Sequence, residues 1–250
     1  MAHLSTMRMG FAGIGGLDTS NRAPIENLPQ EPGGPAYGIA INGMKFMSFA
    51  PAALQANNIA TSAIVNGAAT LTAGTGVTVV TINGVSYLDI TGYQYGERSV
   101  RVIGTSGGVT AVPITITGLD MYGVPVTQTI TGPVATATVE TTKTFRYIRS
   151  ITSTGTTTGA VTIGTGDTYG FPARVGSFDQ ALIFWNNALI TATTGFTAAD
   201  ATNTATASTA NVRGRYTVQS ASDGTRRLRM IVFVDNPDTM DAAYGVSQFS

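Results

Sequence analysis

Between Ile114 and Thr131 the chain leaves itself one structural option. Ile114, Ile116, Val126 and Ile130 alternate with Thr115, Thr117, Thr127, Thr129 and Thr131. A period of two sends one set of side chains to one face of a strand and the other set to the opposite face. Asp120-Met-Tyr-Gly123 joins the two halves as a turn closed by glycine. Pro125 has no N–H to give a ladder and belongs near a strand start or on an edge. The segment predicts a β-hairpin with its apolar face buried and its threonine face outward.

The same pattern runs through most of the chain past residue 60. Residues 77–82 and 85–90 flank Asn83-Gly84, a pair that tolerates positive φ and marks a tight hairpin. Further strands are expected at 99–103, 112–117, 136–140, 145–151, 160–163, 172–175, 181–184, 212–218 and 226–234. Residues 192–211 are rich in Ala and Thr and read as a long surface loop, with a short helical turn at 198–202. Many short strands, glycine punctuation and no long helix predict an all-β chain, an antiparallel β-sandwich or jelly-roll-like domain. Ile-Thr-Gly recurs at 90–92, 116–118 and 130–132, but at unequal intervals, which is turn chemistry and not a repeat array.

The first 58 residues differ. Pro24, Pro29, Pro32 and Pro35 forbid a regular helix there, yet Phe11, Ile14, Leu17, Met44, Phe46 and Phe49 supply more apolar anchors than a solvated linker needs. The expected organisation is an extended N-terminal arm, 1–58, that orders on a partner, followed by a sandwich domain, 59–250. Charged residues make up only 11 % of the 250, and the net charge is zero. Low charge works against solubility, so much of the surface is expected to lie against neighbouring protein. Zero net charge gives no broad attraction to nucleic acid or membrane, and no apolar run is long enough to span a bilayer. Nor does the start of the sequence, where Asp18 follows a short glycine-broken stretch, read as a secretory signal.

Catalytic chemistry finds little to work with. There is no cysteine, and the single histidine is His3, which argues against thiolate sites, histidine triads and multi-histidine zinc sites. Most carboxylates fall at expected turns, where they stabilise the backbone locally. Asp235, Asp238 and Asp241 offer oxygen ligands to calcium; against that, the EF-hand glycine and glutamate are missing and Pro237 alone accounts for a tight turn. Tyr93, Tyr95, Tyr122, Tyr147 and Trp185 could form a sugar platform, though scattered aromatics in a β protein are more often core. No enzyme activity, cofactor or metal is expected. One charge cluster stands out: Arg213, Arg215, Arg226, Arg227 and Arg229, on two strands read as a hairpin. With twelve arginines among its 14 basic residues, the chain favours bidentate pairing with carboxylates at protein interfaces.

Several segments together carry a resemblance: TITGLDMYGVPVTQTITGP, TKTFRYIRSITSTGTTTGAVTIGT, DTYGFP and VRGRYTVQSASDGTRRLRMIVFV. Over about residues 77–235 the chain resembles a β-rich module of tailed-bacteriophage virion proteins, in the style of head decoration, or cement, proteins. The resemblance implies a structural protein on the outer surface of the capsid, the major capsid protein as partner, and a homo-oligomer, dimer or trimer. It brings no catalytic residues. Tail, adaptor and fibre components share the same look, and a carbohydrate-binding module is a further alternative. Phe11, Ile14, Leu17, Met44, Phe46, Phe49, Arg213, Arg215, Arg227 and Arg229 are the residues expected to meet the partner.

Overall fold

A computed structural model describes residues 44–60, 67–93, 96–155, 159–200 and 211–234. In chain order the strands are β1 (Met44–Phe49), β2 (Gly67–Ala68), β3 (Thr78–Ile82), β4 (Val85–Asp89), β5 (Arg98–Gly104), β6 (Pro113–Leu119), β7 (Pro125–Thr131) and β8 (Thr138–Glu140). They continue with β9 (Tyr147–Ser153), β10 (Val161–Gly170), β11 (Ala181–Trp185), β12 (Ala188–Leu189), β13 (Phe196–Thr197), β14 (Arg215–Thr217) and β15 (Leu228–Phe233). Helix among the described residues is confined to a 3-10 turn at Phe178–Gln180, and no helix there is long and apolar enough to cross a membrane. The chain is an all-β protein built of antiparallel sheets packed as a sandwich.

Three sheets form, in the orders β3-β4-β9-β6-β7 (with β2 beside β9), β13-β14-β10-β5-β8 and β1-β15-β11-β12. Local chemistry sets the hairpins. Asn83 and Gly84 take φ of 49° and 78°, the left-handed pair that a two-residue turn between β3 and β4 requires. The alternating segment pairs from Pro113↔Thr131 to Leu119↔Pro125 as β6 and β7.

Two cores lie along the length of β10, one toward each end. The first is nearly all aliphatic: Ile114, Ile116, Ile148 and Ile151 from one sheet meet Val100, Val102, Val161 and Ile163 from the next. The second is aromatic and sulfur-rich: Met47, Phe49, Trp185 and Met230 close on Tyr169, Phe171 and Tyr216. β10 joins them, giving Val161 and Ile163 to the first and Tyr169 to the second.

Several expectations need correction. The sheets begin at Met44 and not at residue 59. β1 pairs with β15 from Met44↔Phe233 to Phe49↔Leu228, because Met47 and Phe49 fill the second core, and Ala60 bridges to Ile163. Of the expected arm, residues 1–43 lie outside the described residues. β10 runs to Gly170, well past the expected end at 163; its glycines read as loop but are used for close approach. Residues 172–175 form no strand. Pro172 gives no N–H, and this stretch is held by single bonds from Phe171 N to Gly214 O and from Val175 N to Arg213 O. Within the loop expected at 192–211, Phe196–Thr197 pairs with β14 and residues 198–200 are not helical; 201–210 lie outside the described residues. Finally, β14 pairs with β10 and β13, whereas β15 pairs with β1 and β11. The arginine strands are in different sheets and form no hairpin.

Candidate interaction surface

Arginine was the residue type expected at partner contacts, and the fold sorts it into two uses. Arg213 is buried, 4 % exposed. Its Nη1 donates to Asp120 Oδ2 at 2.8 Å, its Nη2 to Glu97 Oε1, and its Nε to Phe171 O at 3.2 Å. Each carboxylate also accepts from the backbone: Glu97 from Met121 N at 2.9 Å, Asp120 from Tyr122 N and Val124 N at 2.8 Å. Thr144 Oγ1 donates to Glu97 Oε2 at 2.7 Å. A Cβ at Gly170 would overlap both that carboxylate and that hydroxyl, so glycine there makes the room. Two buried carboxylates thus share one guanidinium. Burial pushes the Glu97 pKa above its ordinary value against the pull of Arg213, and the nearby Asp120 charge adds to the rise. For Arg213 burial works downward, but Glu97 and Asp120 outweigh it and hold the pKa above its usual value. This network ties the β6–β7 turn to the segment before β14. It is internal, so Arg213 is corrected from a partner contact to a structural tie.

A second tie sits where β10 bulges. Register slips between Thr165↔Val100 and Tyr169↔Arg98, which aims the bulge's polar groups inward. Arg98 donates through Nε to Gly166 O at 2.8 Å, through Nη1 to Ala52 O at 3.0 Å, and through Nη2 to Asp167 Oδ1 and Ser222 Oγ at 3.0 Å each. Its guanidinium stands 5.5 Å from the Tyr169 ring centroid. Residues 50–56 are thereby fastened between the bulge and the loop before β15. Sequence reading passed over Arg98 and counted Glu97 and Asp167 only among the carboxylates expected mostly at turns. A carboxylate among glycines and threonines, as in GTGDTYG, is the one local signal, and it does not name a partner.

Arg215 is half-buried and donates to Thr142 O at 2.5 Å. Burial lowers its pKa, with Glu140 opposing; it too serves the fold. Arg227 and Arg229 are different. Both are exposed, on the outer side of the β1-β15-β11-β12 sheet. Arg227 donates to Ser48 Oγ at 3.3 Å, and Arg229 lies opposite Ser48 and Phe184.

That outer face is the most unusual surface among the described residues. Met47, Phe49, Ile183, Trp185, Leu228 and Met230 point inward, so their alternates point out: Met44, Phe46, Leu182, Phe184, Ile231 and Phe233. Cross-strand pairing lines them up. Phe46 and Leu182 flank Ile231, Met44 lies beside Phe233, and Leu189 of β12 extends the row from Phe184. Phe46 is 62 % exposed, Leu189 47 % and Leu182 40 %. A sheet with one face on a core normally turns polar side chains to water on the other, and a contiguous apolar patch marks an interaction site. A partial signal lay in ALIFW and, Arg229 apart, in LRMIVF, which are apolar at both parities, as strands covered on both faces are.

Of the expected contact residues, the fold brings Met44, Phe46, Arg227 and Arg229 onto this one surface. Phe49 is 1 % exposed in the second core, its ring packed on Tyr93 and Tyr169, and is corrected to a core residue. Phe11, Ile14, Leu17, Asp235, Asp238 and Asp241 lie outside the described residues. The suggested sugar platform does not assemble from its described members. Trp185 is buried with Nε1 on Ser220 Oγ, Tyr93 donates to Ala50 O, Tyr122 to Pro172 O, and Tyr147 packs on Tyr87; Tyr95 lies outside the described residues. Compared with known proteins, the chain matches no family model, no curated protein and no solved structure.

Proposed function

We propose that this chain is a structural, adhesive protein of a tailed-phage virion, binding the outer surface of the capsid through the major capsid protein and stabilising the shell. The segment resemblance supplies the setting. The observation that carries the adhesive part is the outer face of the β1-β15-β11-β12 sheet, whose apolar rows are completed only when protein covers them. Residues 1–43, with their proline-spaced apolar positions, precede β1 at the edge of that same sheet and could reach neighbouring subunits at about 3.3 Å per extended residue. Several modest contacts of this kind multiply into firm attachment.

The test is to locate the chain in purified particles and to measure occupancy of shells by a variant lacking residues 2–42, which spares β1. Copies spread over the shell, with occupancy sharply reduced in the truncated protein, are the expected result. Copies confined to one vertex would move the chain to the tail. Full occupancy by the truncated protein would remove residues 1–43 from the contact.

A further inference from the structure

An edge strand leaves a row of main-chain N–H and C=O groups unpaired, and folded proteins blunt such edges with short strands, charge, proline or a covering segment. Most edges of the three sheets are blunted in this way. β8, β12 and β13 are only two or three residues long, and β1 carries Lys45. β7 starts at Pro125 and is covered: Lys143 donates through N to Gln128 Oε1 at 2.8 Å and through Nζ to Thr127 O at 3.1 Å. β3 has none of these devices. It is Thr78-Val-Val-Thr-Ile82, β-branched at every position, and it pairs with β4 alone. Val79 is 62 % exposed, and no charged residue stands between Lys45 and Asp89. The two-residue turn at Asn83-Gly84 makes Ile82↔Val85 a hydrogen-bonded pair, so by alternation Val80 and Thr78 also bond toward β4. Val79 and Thr81 therefore turn N–H and C=O to the free edge, where neither has a partner among the described residues.

We propose that β3 pairs with β3 of a second copy, antiparallel about a two-fold axis at Val80, so that the two sheets run on as one. An edge of this kind is completed by an extended strand, and this strand is its own complement. In that register Val79 lies opposite Thr81 of the second copy and exchanges two hydrogen bonds with it. The symmetric pair does the same. Val80 meets its own symmetry mate and Thr78 meets Ile82, so β-branched side chains are paired throughout. With no charge on the strand, nothing repels across the axis. The covered edge at β7 stops the sheet from growing at its other side, so the contact closes at two copies and makes no filament. This seam is separate from the apolar face of the β1-β15-β11-β12 sheet and does not rest on the virion reading.

Sedimentation of the full-length protein from about 1 to 100 µM tests this. The expected species is a dimer. Val79→Pro removes an N–H that faces the seam and none that β4 uses, and proline is tolerated on a strand edge. It should leave the fold intact and weaken association about tenfold or more. Register is read by single thiols, which report alone because the chain has no cysteine. Val80→Cys places two sulfur-bearing residues directly opposite, with Cα atoms about 4.5 Å apart, inside the range a disulfide spans. Mild oxidation should therefore give a covalent dimer. Val79→Cys puts its pair on a diagonal of about 7–8 Å and should cross-link at least about tenfold more slowly. Should Val79→Pro fail to fold, the two cysteine variants decide. A folded Val79→Pro protein that still dimerises overturns the proposal, as does Val80→Cys cross-linking no faster than Val79→Cys. A monomeric wild type overturns it too, and leaves the edge to an extended strand of another protein. None of these readouts involves a shell, so the seam and the virion role stand or fall separately.

Discussion

Two outer sheet faces of this molecule can be laid side by side. On one, Thr152, Thr115 and Thr129 form a row across β9, β6 and β7, with Ser150, Thr117 and Thr127 beside it. On the other, Phe46, Ile231 and Leu182 form the equivalent row across β1, β15 and β11. Both sheets are antiparallel, both alternate with a period of two, and both bury their inner side chains in a core. Only the outward choice differs. Threonine keeps the β-branched shape a strand favours while its hydroxyl faces water or a neighbour, as in the 2.8 Å contact between Thr115 and Thr129. Phenylalanine, isoleucine and leucine do neither. The first face suits solvent; the second, on the function proposed above, suits a protein partner.

The largest expected effect is at the ionic tie that holds the threonine-faced hairpin against the rest of the chain. Arg213→Ala leaves Glu97 and Asp120 buried without their shared cation, and breaking a buried pair in this way costs about 3–5 kcal/mol. Urea unfolding should show that loss. Arg213→Lys should recover little of it, since an ammonium cannot present the planar fork that reaches both carboxylates and Phe171 O. A loss below about 1 kcal/mol would mean that the two halves are held by their cores alone.

Next in size is an exchange between the faces. Leu182→Thr with Ile231→Thr should change stability by less than about 1 kcal/mol, because neither side chain is in a core, yet lower occupancy of purified shells about tenfold or more. The reciprocal change, Thr115→Ile with Thr129→Ile, should leave the fold intact and create association where that face had none. Particle occupancy reads the first and analytical ultracentrifugation the second. If the threonine exchange left occupancy untouched while the reciprocal one created association, the natural apolar face would be idle and the contrast between the faces without function.

One of these faces was legible in the sequence and the other only in part. The β6–β7 hairpin and the Asn83-Gly84 turn could be read directly because their signals are local: a strict alternation and a residue pair with a special backbone. Most other strands followed, with ends off by a few residues. The apolar face was obscure because Met44, Phe46 and Phe49 sit in a proline-rich stretch and were read as one arm; only the pairing of β1 with β15 shows that Phe49 turns inward and Phe46 outward. The arginines were hardest. Arg213 meets Glu97 and Asp120 from 116 and 93 residues away, a distance at which no spacing rule operates. It therefore looked equivalent to Arg227, which stays at the surface.

The smallest expected effect is a pH dependence, and its sign follows from burial. Glu97 has its folded-state pKa raised above the ordinary 4.5, first by burial and further by the Asp120 charge, with Arg213, Met121 N and Thr144 pulling the other way. A carboxylate with a raised folded pKa binds its proton more tightly in the native state than in the unfolded one. Its contribution to stability is complete below the unfolded value and is lost as pH rises through the folded value. The wild type should therefore lose stability relative to Glu97→Gln as pH climbs from about 4.5, with a slope that one proton limits to about 1.4 kcal/mol per pH unit. Glutamine keeps an oxygen for Arg213 and Met121 N, and turns an amide toward the Thr144 hydroxyl, which can accept as well as donate. The variant should fold with a flatter profile over that range. Urea midpoints at several pH values, taken on both proteins, measure the difference directly. Parallel profiles would show that Glu97 stays ionised throughout, and that the single guanidinium of Arg213 is enough to hold two buried negative charges.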